Sequence, residues 1–145
     1  MSLLEQLSNG LKDAGFDIRL EDDHIILLGE SGENIGVFEI VGSWVHTQVF
    51  LGEAFDDAGI MTSLLLANDR VLGFRFSIDS SGYASARCEA LVSEIIEPSV
   101  IRVIESMLES VPAYWLLFDR CRSEGRQATE AELDQIAENF ERTLN

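Results

Sequence analysis

The chain has little of several things that usually announce a function. Lysine occurs once, at Lys12, and with nine scattered arginines it makes no phosphate-neutralising surface of the kind that drives nucleic-acid affinity. DNA, RNA and anionic membranes are therefore not expected as partners. No apolar run approaches the roughly 18–20 residues a membrane-crossing helix requires, and the first 20 residues form an amphipathic, acid-containing stretch unlike a leader peptide. The expectation is a soluble, cytoplasmic protein. Cysteine occurs twice, at Cys88 and Cys121, in unrelated contexts that fit reduced, buried thiols better than a disulfide framework or a zinc site.

The usual catalytic and cofactor signatures are missing as well. A phosphate loop needs Gly-Lys-Ser/Thr before a helix, and the single lysine lies inside the first helical stretch. Gly29, Gly32 and Gly36 do not make a dinucleotide fingerprint, no serine sits in a GxSxG elbow, and there is no HExxH. Asp22-Asp23-His24 reads as an acidic turn entering a strand rather than as metal ligands. His46 reads as a surface or hydrogen-bonded strand histidine. Glu53, Asp56 and Asp57 form an acidic loop without the alternating oxygen ligands of a calcium loop. No catalytic residue, metal or cofactor is assigned; an enzyme built on His24 or His46 would need a cleft that brings carboxylates to the imidazole.

What is present is acid and apolar surface. The 145 residues are 46% hydrophobic and carry 26 acids against 10 bases, a net charge of −16. That length suits one domain, 1–145, with a sizeable core. Residues 1–59 hold twelve of the acids and two bases, hence −10 of the −16, so one end or face is strongly negative.

The periodicities give an element order. Ser2 and Glu5 have capping-box spacing, Leu3, Leu4, Leu7, Leu11 and Ala14 follow the helical period, and Gly15-Phe16 makes a left-handed stop, which predicts a helix over 2–14. Phe16, Ile18 and Leu20 then alternate as a strand, followed by strands over 24–28 and 35–41. Gly42-Ser43 suits a two-residue type II′ turn, so 44–51 returns antiparallel. A helix is expected over 60–68 and a second hairpin over 74–91, turning at Ser80-Ser81-Gly82. Glu97-Pro98 opens a helix with the stripe Val100, Ile101, Ile104, Met107, Leu108 and Val111, which Pro112 is expected to kink or end. Thr129 and Glu132 repeat the capping box before a last helix with Leu133, Ile136, Ala137, Phe140 and Leu144 on its inner stripe. The pattern is α+β, α-β-β-β-β-α-β-β-α-α: a mostly antiparallel sheet with helices packed on one face and a C-terminal helical extension over 112–145.

The stretch Leu64-Leu65-Leu66-Ala67-Asn68, then Gly73 to Asp79, then Ser81-Gly82 and a strand leading into a long helix, resembles the bacterial YbjN family and its relatives, the class I type III secretion chaperones. The resemblance covers the element order over roughly 2–111. It implies a type III secretion chaperone-like fold in a protein that is commonly a homodimer and recognises a protein partner or client. Chaperones of this type take an extended client segment across apolar patches and an exposed strand edge. The chain continues about 30 residues beyond Pro112, which favours the regulatory YbjN-like branch over client wrapping.

Candidate partner-binding residues are Trp44, Val45, Val49 and Phe50, on a strand taken to lie near the sheet edge, with Trp115 and Phe118 as aromatic anchors. Tyr114 belongs to the same aromatic segment. Leu64, Leu65 and Phe74 fall where this superfamily builds its dimer contact. For each of these, packing in the monomer core is the competing reading. A second functional class is a small-ligand sensor, with a pocket between the sheet and the C-terminal helices lined by Trp115 and Phe118.

Overall fold

The computed structural model describes residues 1–54 and 57–144, the last four as backbone. Asp56 of the acidic loop and the Leu144 side chain of the last stripe lie outside the described residues. The elements are α1 (Leu3–Asp13), β1 (Ile18–Leu20), β2 (Ile25–Leu28), β3 (Asn34–Val41), β4 (Trp44–Glu53), α2 (Ala58–Asn68), β5 (Arg75–Ile78), β6 (Tyr83–Leu91), α3 (Pro98–Ser123) and α4 (Glu130–Leu144).

Local chemistry explains where most of these begin and end. The Ser2 hydroxyl accepts from the Glu5 amide at 3.1 Å and starts α1. At its end Phe16 donates to the Leu11 carbonyl and Gly15, at φ +98°, donates to that of Lys12, a Schellman closure that hands the chain to β1. Gly42, at φ +64°, turns the chain between the paired Val41 and Trp44. Asp57 caps α2 through its side chain, which accepts from the Ile60 amide at 2.9 Å. This helix therefore starts at Ala58, two residues before the sequence expectation. At α4 the capping box is complete: Glu132 N–H donates to Thr129 Oγ1 at 3.2 Å, and Thr129 N–H to Glu132 Oε1 at 3.0 Å.

The strands form one antiparallel sheet in the order β1-β2-β3-β4-β6-β5. Because β6 pairs with β4 across the intervening α2 and β5, β4 sits in the middle. The expectation that Trp44 to Phe50 run near an edge is thus corrected: both sides of β4 carry strand partners. Helices α1, α2 and α3 pack on one face, where Leu11, Phe38, Val45, Phe76, Met107 and Phe118 belong to a single buried core. The architecture is α+β with helices on one face, and α4 packs outside α3 and α2.

Pro112 neither ends α3 nor marks the start of a separate element, since the helix runs from Pro98 to Ser123 with the proline inside it. Proline removes one helical hydrogen bond, but Pro112 itself faces solvent while Val111, Tyr114, Leu117 and Phe118 around it are buried. The packing of that stripe outweighs the local defect. The segment beyond is tied down: buried Ser63 donates to the Gly59 carbonyl and accepts from the Ala128 amide at 2.8 Å, pinning the α3–α4 connection to α2. Arg70 holds Asp134 of α4 at 2.7 Å. Among the described residues no helix is long and apolar enough to cross a membrane.

Candidate functional site

The sheet has two edges, and they are treated unequally. On β5 the odd-numbered residues bond to β6, so Phe76 directs its N–H and C=O outward. The Asn68 side chain at the end of α2 takes both: its amide donates to the Phe76 carbonyl at 3.1 Å and its oxygen accepts the Phe76 N–H at 2.6 Å. The middle of a four-residue edge is thereby occupied by one side chain. On β1 the bonds Leu28 N–H to Asp17 and Glu21 N–H to His24 set the alternation, leaving Ile18 and Leu20 with backbone groups directed away from β2. Among the described residues no further strand pairs with them; Leu20 is 38% exposed, whereas Ile18 is buried at 8%.

The sheet face opposite the helices is the second candidate surface. Its middle row runs Ile26, Val37, Gln48, Arg87 and Arg75 from β2 to β5. Trp44, 47% exposed, stands at one end between Val41 and Leu91, its register partners. Phe50 and Tyr83 meet edge to face at 6.3 Å on half-buried positions. Arg75 clasps Glu89 with both terminal nitrogens at 2.7 and 2.8 Å, and this clasp holds the Glu89 carboxyl below its ordinary range.

Against this geometry the candidate residues separate. Trp44 and Phe50 lie on the uncovered face. Val45, Val49 and Phe118 are buried in the core, Phe118 against Phe76 at 5.9 Å, and cannot meet a partner without unfolding. Trp115 is half-buried on α3, with Arg122 stacked on its ring at 5.4 Å and Gly52 beneath it, where a Cβ would lie 2.5 Å from the indole. Of the expected dimer residues, Leu64 and Phe74 are buried and only Leu65, 69% exposed, is available. The period of α2 sends Leu64 inward and Leu65 outward. Sequence reasoning missed Leu72 and Leu116, which stand 64% and 73% exposed beside buried neighbours.

Neither Trp115 nor Phe118 lines the crevices beside α3 among the described residues. One, lined by Arg70, Phe74, Ser106, Ser110 and Tyr114, has a free volume of about 20 Å³, roughly one water molecule. The open groove between α3 and α4, about 450 Å³, is lined by Ala113, Leu116, Leu117, Arg120 and Ile136. The His24 ring meets the adjacent Asp23 at 2.6 Å in an exposed turn. His46 stands on the uncovered face with Glu39 and Glu89 opposite on either side, its Nδ1 3.8 Å from Glu89. Asp57 of the acidic loop is engaged as the α2 cap. Among the described residues no three His, Cys, Asp or Glu side chains gather as a metal site. Cys88 and Cys121 are free and buried, and burial pushes the Cys88 thiol up to about 11.

No protein-family model matches the chain, and no curated protein matches its sequence. Among solved structures, a chain of the "Structure of the HopA1-SchA Chaperone-Effector Complex" is similar with a TM-score of 0.53 at 16% identity, covering 78% of this chain and 90% of that one. The element order, the antiparallel sheet and this likeness define a type III secretion chaperone-like α+β fold.

Proposed function

We propose that this protein is a non-enzymatic, chaperone-like module that binds an extended segment of a protein partner in a bacterial cytoplasm, as a regulatory relative of the YbjN branch. The observation that carries the reading is the asymmetry of the sheet edges. Asn68 occupies the outward groups of Phe76, whereas the outward groups of β1 have no strand partner among the described residues, with Leu20 the exposed position at which a strand could add. The similarity to a chain from a chaperone–effector complex supports the same reading. A homodimer belongs to this proposal, through Leu65 rather than through the buried Leu64 and Phe74.

The test is affinity capture of the tagged full chain from lysate of its own source, with Leu20→Pro as the comparison. Proline there removes an outward N–H and leaves the β1–β2 bonds in place. A partner that is recovered with the native chain and lost with Leu20→Pro, while circular dichroism of the variant is unchanged, supports strand addition at β1. A partner retained by a folded Leu20→Pro chain overturns it.

A further inference from the structure

We propose that the centre of the uncovered sheet face binds a carboxylate side chain of the protein partner, with Arg87 as its anchor. This rests on the protein-binding reading above and adds the chemistry of the contact.

Arginine in this chain is normally matched. Arg19, Arg70, Arg75, Arg120, Arg122 and Arg126 each hold a carboxylate within 2.9 Å. Lys12 and Arg102 stand in solvent. Arg87 is different: it is half-buried in the middle of the sheet face, and its Nε is sealed from solvent and has no acceptor among the described residues. Its terminal nitrogens, which are not sealed and hold no carboxylate there, are the ones an occupant would meet. A buried donor of a charged group left without an acceptor is an expensive arrangement. With 26 acids in the chain it is also an unexpected one.

The neighbours explain why no internal carboxylate reaches it. Its register partner on β5 is Arg75, which already clasps Glu89 with both terminal nitrogens. Glu89 feels the charge of Arg87 but is held by Arg75. On the other side Gln48 turns its amide nitrogen to Ser85 at 3.0 Å. Arg87 is thus a guanidinium without a carboxylate of its own on a molecule of −16, since Glu89 is taken by Arg75 and Glu39, the other acid of these rows, stands two strands away across His46.

Charge complementarity therefore favours an anionic occupant, and the planar guanidinium favours a carboxylate it can meet with two nitrogens. Apolar surface lies on the flanks: half-buried Val37 is beyond Gln48, and the Phe50–Tyr83 pair lies in the neighbouring positions. The occupant that fits is an Asp or Glu bracketed by apolar residues of a protein segment. The overall negative charge slows such an encounter at long range, but it is screened beyond about 8–10 Å, and the local guanidinium dominates on contact.

The experiment follows the arginine Nε–H signals of the ¹⁵N-labelled full chain during titration with acetyl-Leu-Asp-Phe-amide, its Asn counterpart, and inorganic phosphate. The expected result is a saturable shift of the Arg87 signal with the Asp peptide, at least about tenfold weaker binding of the Asn peptide, and loss of the response in Arg87→Gln. Equal binding of the two peptides overturns the proposal. Phosphate binding as tightly as the Asp peptide also overturns it, by making the site one for free anions. Arg87→Met separates a purely structural role: removing an unmatched donor is expected to raise Tm, and a fall of several degrees would assign Arg87 to the fold instead. In the lysate capture, a partner lost with Leu20→Pro but kept with Arg87→Gln sinks this inference and leaves the edge-binding reading standing, whereas one kept by both folded variants sinks both.

Discussion

Asn68 and Phe76 are joined by a reciprocal pair of hydrogen bonds in which a side-chain amide takes the place of a neighbouring strand. The asparagine ends α2, yet its function is carried out on β5, where it fills the outward donor and acceptor at the centre of the sheet edge. An unprotected edge is a template for association with other chains. One amide occupies the outward groups of Phe76 here without adding any secondary structure, while Ile78, outward by the same alternation, is not engaged by it.

Replacing Asn68 by Ala is expected to cost about 1–3 kcal/mol, since two part-buried backbone groups lose their partners together. It should also reopen the β5 edge. Sedimentation velocity at rising concentration then shows association that the native chain does not, and an unchanged sedimentation profile would mean the edge is protected by something else.

Acid should loosen the C-terminal helix. Arg126 foremost, then the Thr129 amide, with a smaller contribution from Arg120, hold the Glu132 carboxyl far below its ordinary range. A carboxylate whose folded pKa is depressed contributes stability that is present above the unfolded value of about 4.3 and is lost as pH falls from there toward the folded value. Thermal melts between pH 2 and 7 are expected to fall more steeply below about pH 4 for the native chain than for Glu132→Gln. Parallel curves for the two proteins would remove Glu132 from the explanation.

Leu65→Glu is expected to cost the monomer fold little, because Leu65 is 69% exposed and leaves little core behind, so the melting temperature falls only by what dimerisation supplies and loses its dependence on protein concentration. Light scattering at micromolar concentration should give a dimer for the native chain and a monomer for the variant. A native monomer would end the dimer proposal.

The candidate aromatics should divide by burial. Phe118→Ala removes a fully buried ring and is expected to cost about 3–5 kcal/mol, whereas Trp44→Ala, at a half-exposed position, stays under about 1 kcal/mol. Denaturant unfolding measures both. A loss at Trp44 approaching that at Phe118 would place the indole in the structural core.

The contrast between these two aromatics shows how far the sequence could be read. Signals that act within a few residues were legible: the Ser2 cap, the Gly15 stop, the Gly42 turn and the Thr129–Glu132 box all form as their spacing predicts. Alternation along β4 sends Val45 and Val49 inward and Trp44 and Phe50 outward, a division that grouping the four as one candidate surface overlooks. What it did not contain was the neighbour on the far side of β4, because β6 arrives across a helix and another strand. Pro112 does not end α3 for a related reason, since the stripe that keeps the helix continuous is completed by residues of the sheet and of α2. Asn68 ends the helix expected over 60–68, and nothing within the helix reveals that its amide is used on β5. Arg87 carried a weak trace, a lone cation on the outward alternation of its strand, but only the pairing of Arg75 with Glu89 shows it unmatched.

The position of β4 also bears on synthesis. Its second partner ends at Leu91, so for the time the ribosome needs to add residues 54–91, roughly 2–8 s at ordinary rates, the chain's future central strand is an open border of a four-stranded meander. Nascent chains on one messenger are then close together with matching unfilled edges. Ten of the twelve acids of residues 1–59 precede residue 54 and are already translated when that interval opens, and their mutual repulsion opposes contact between those borders until the same molecule supplies β6.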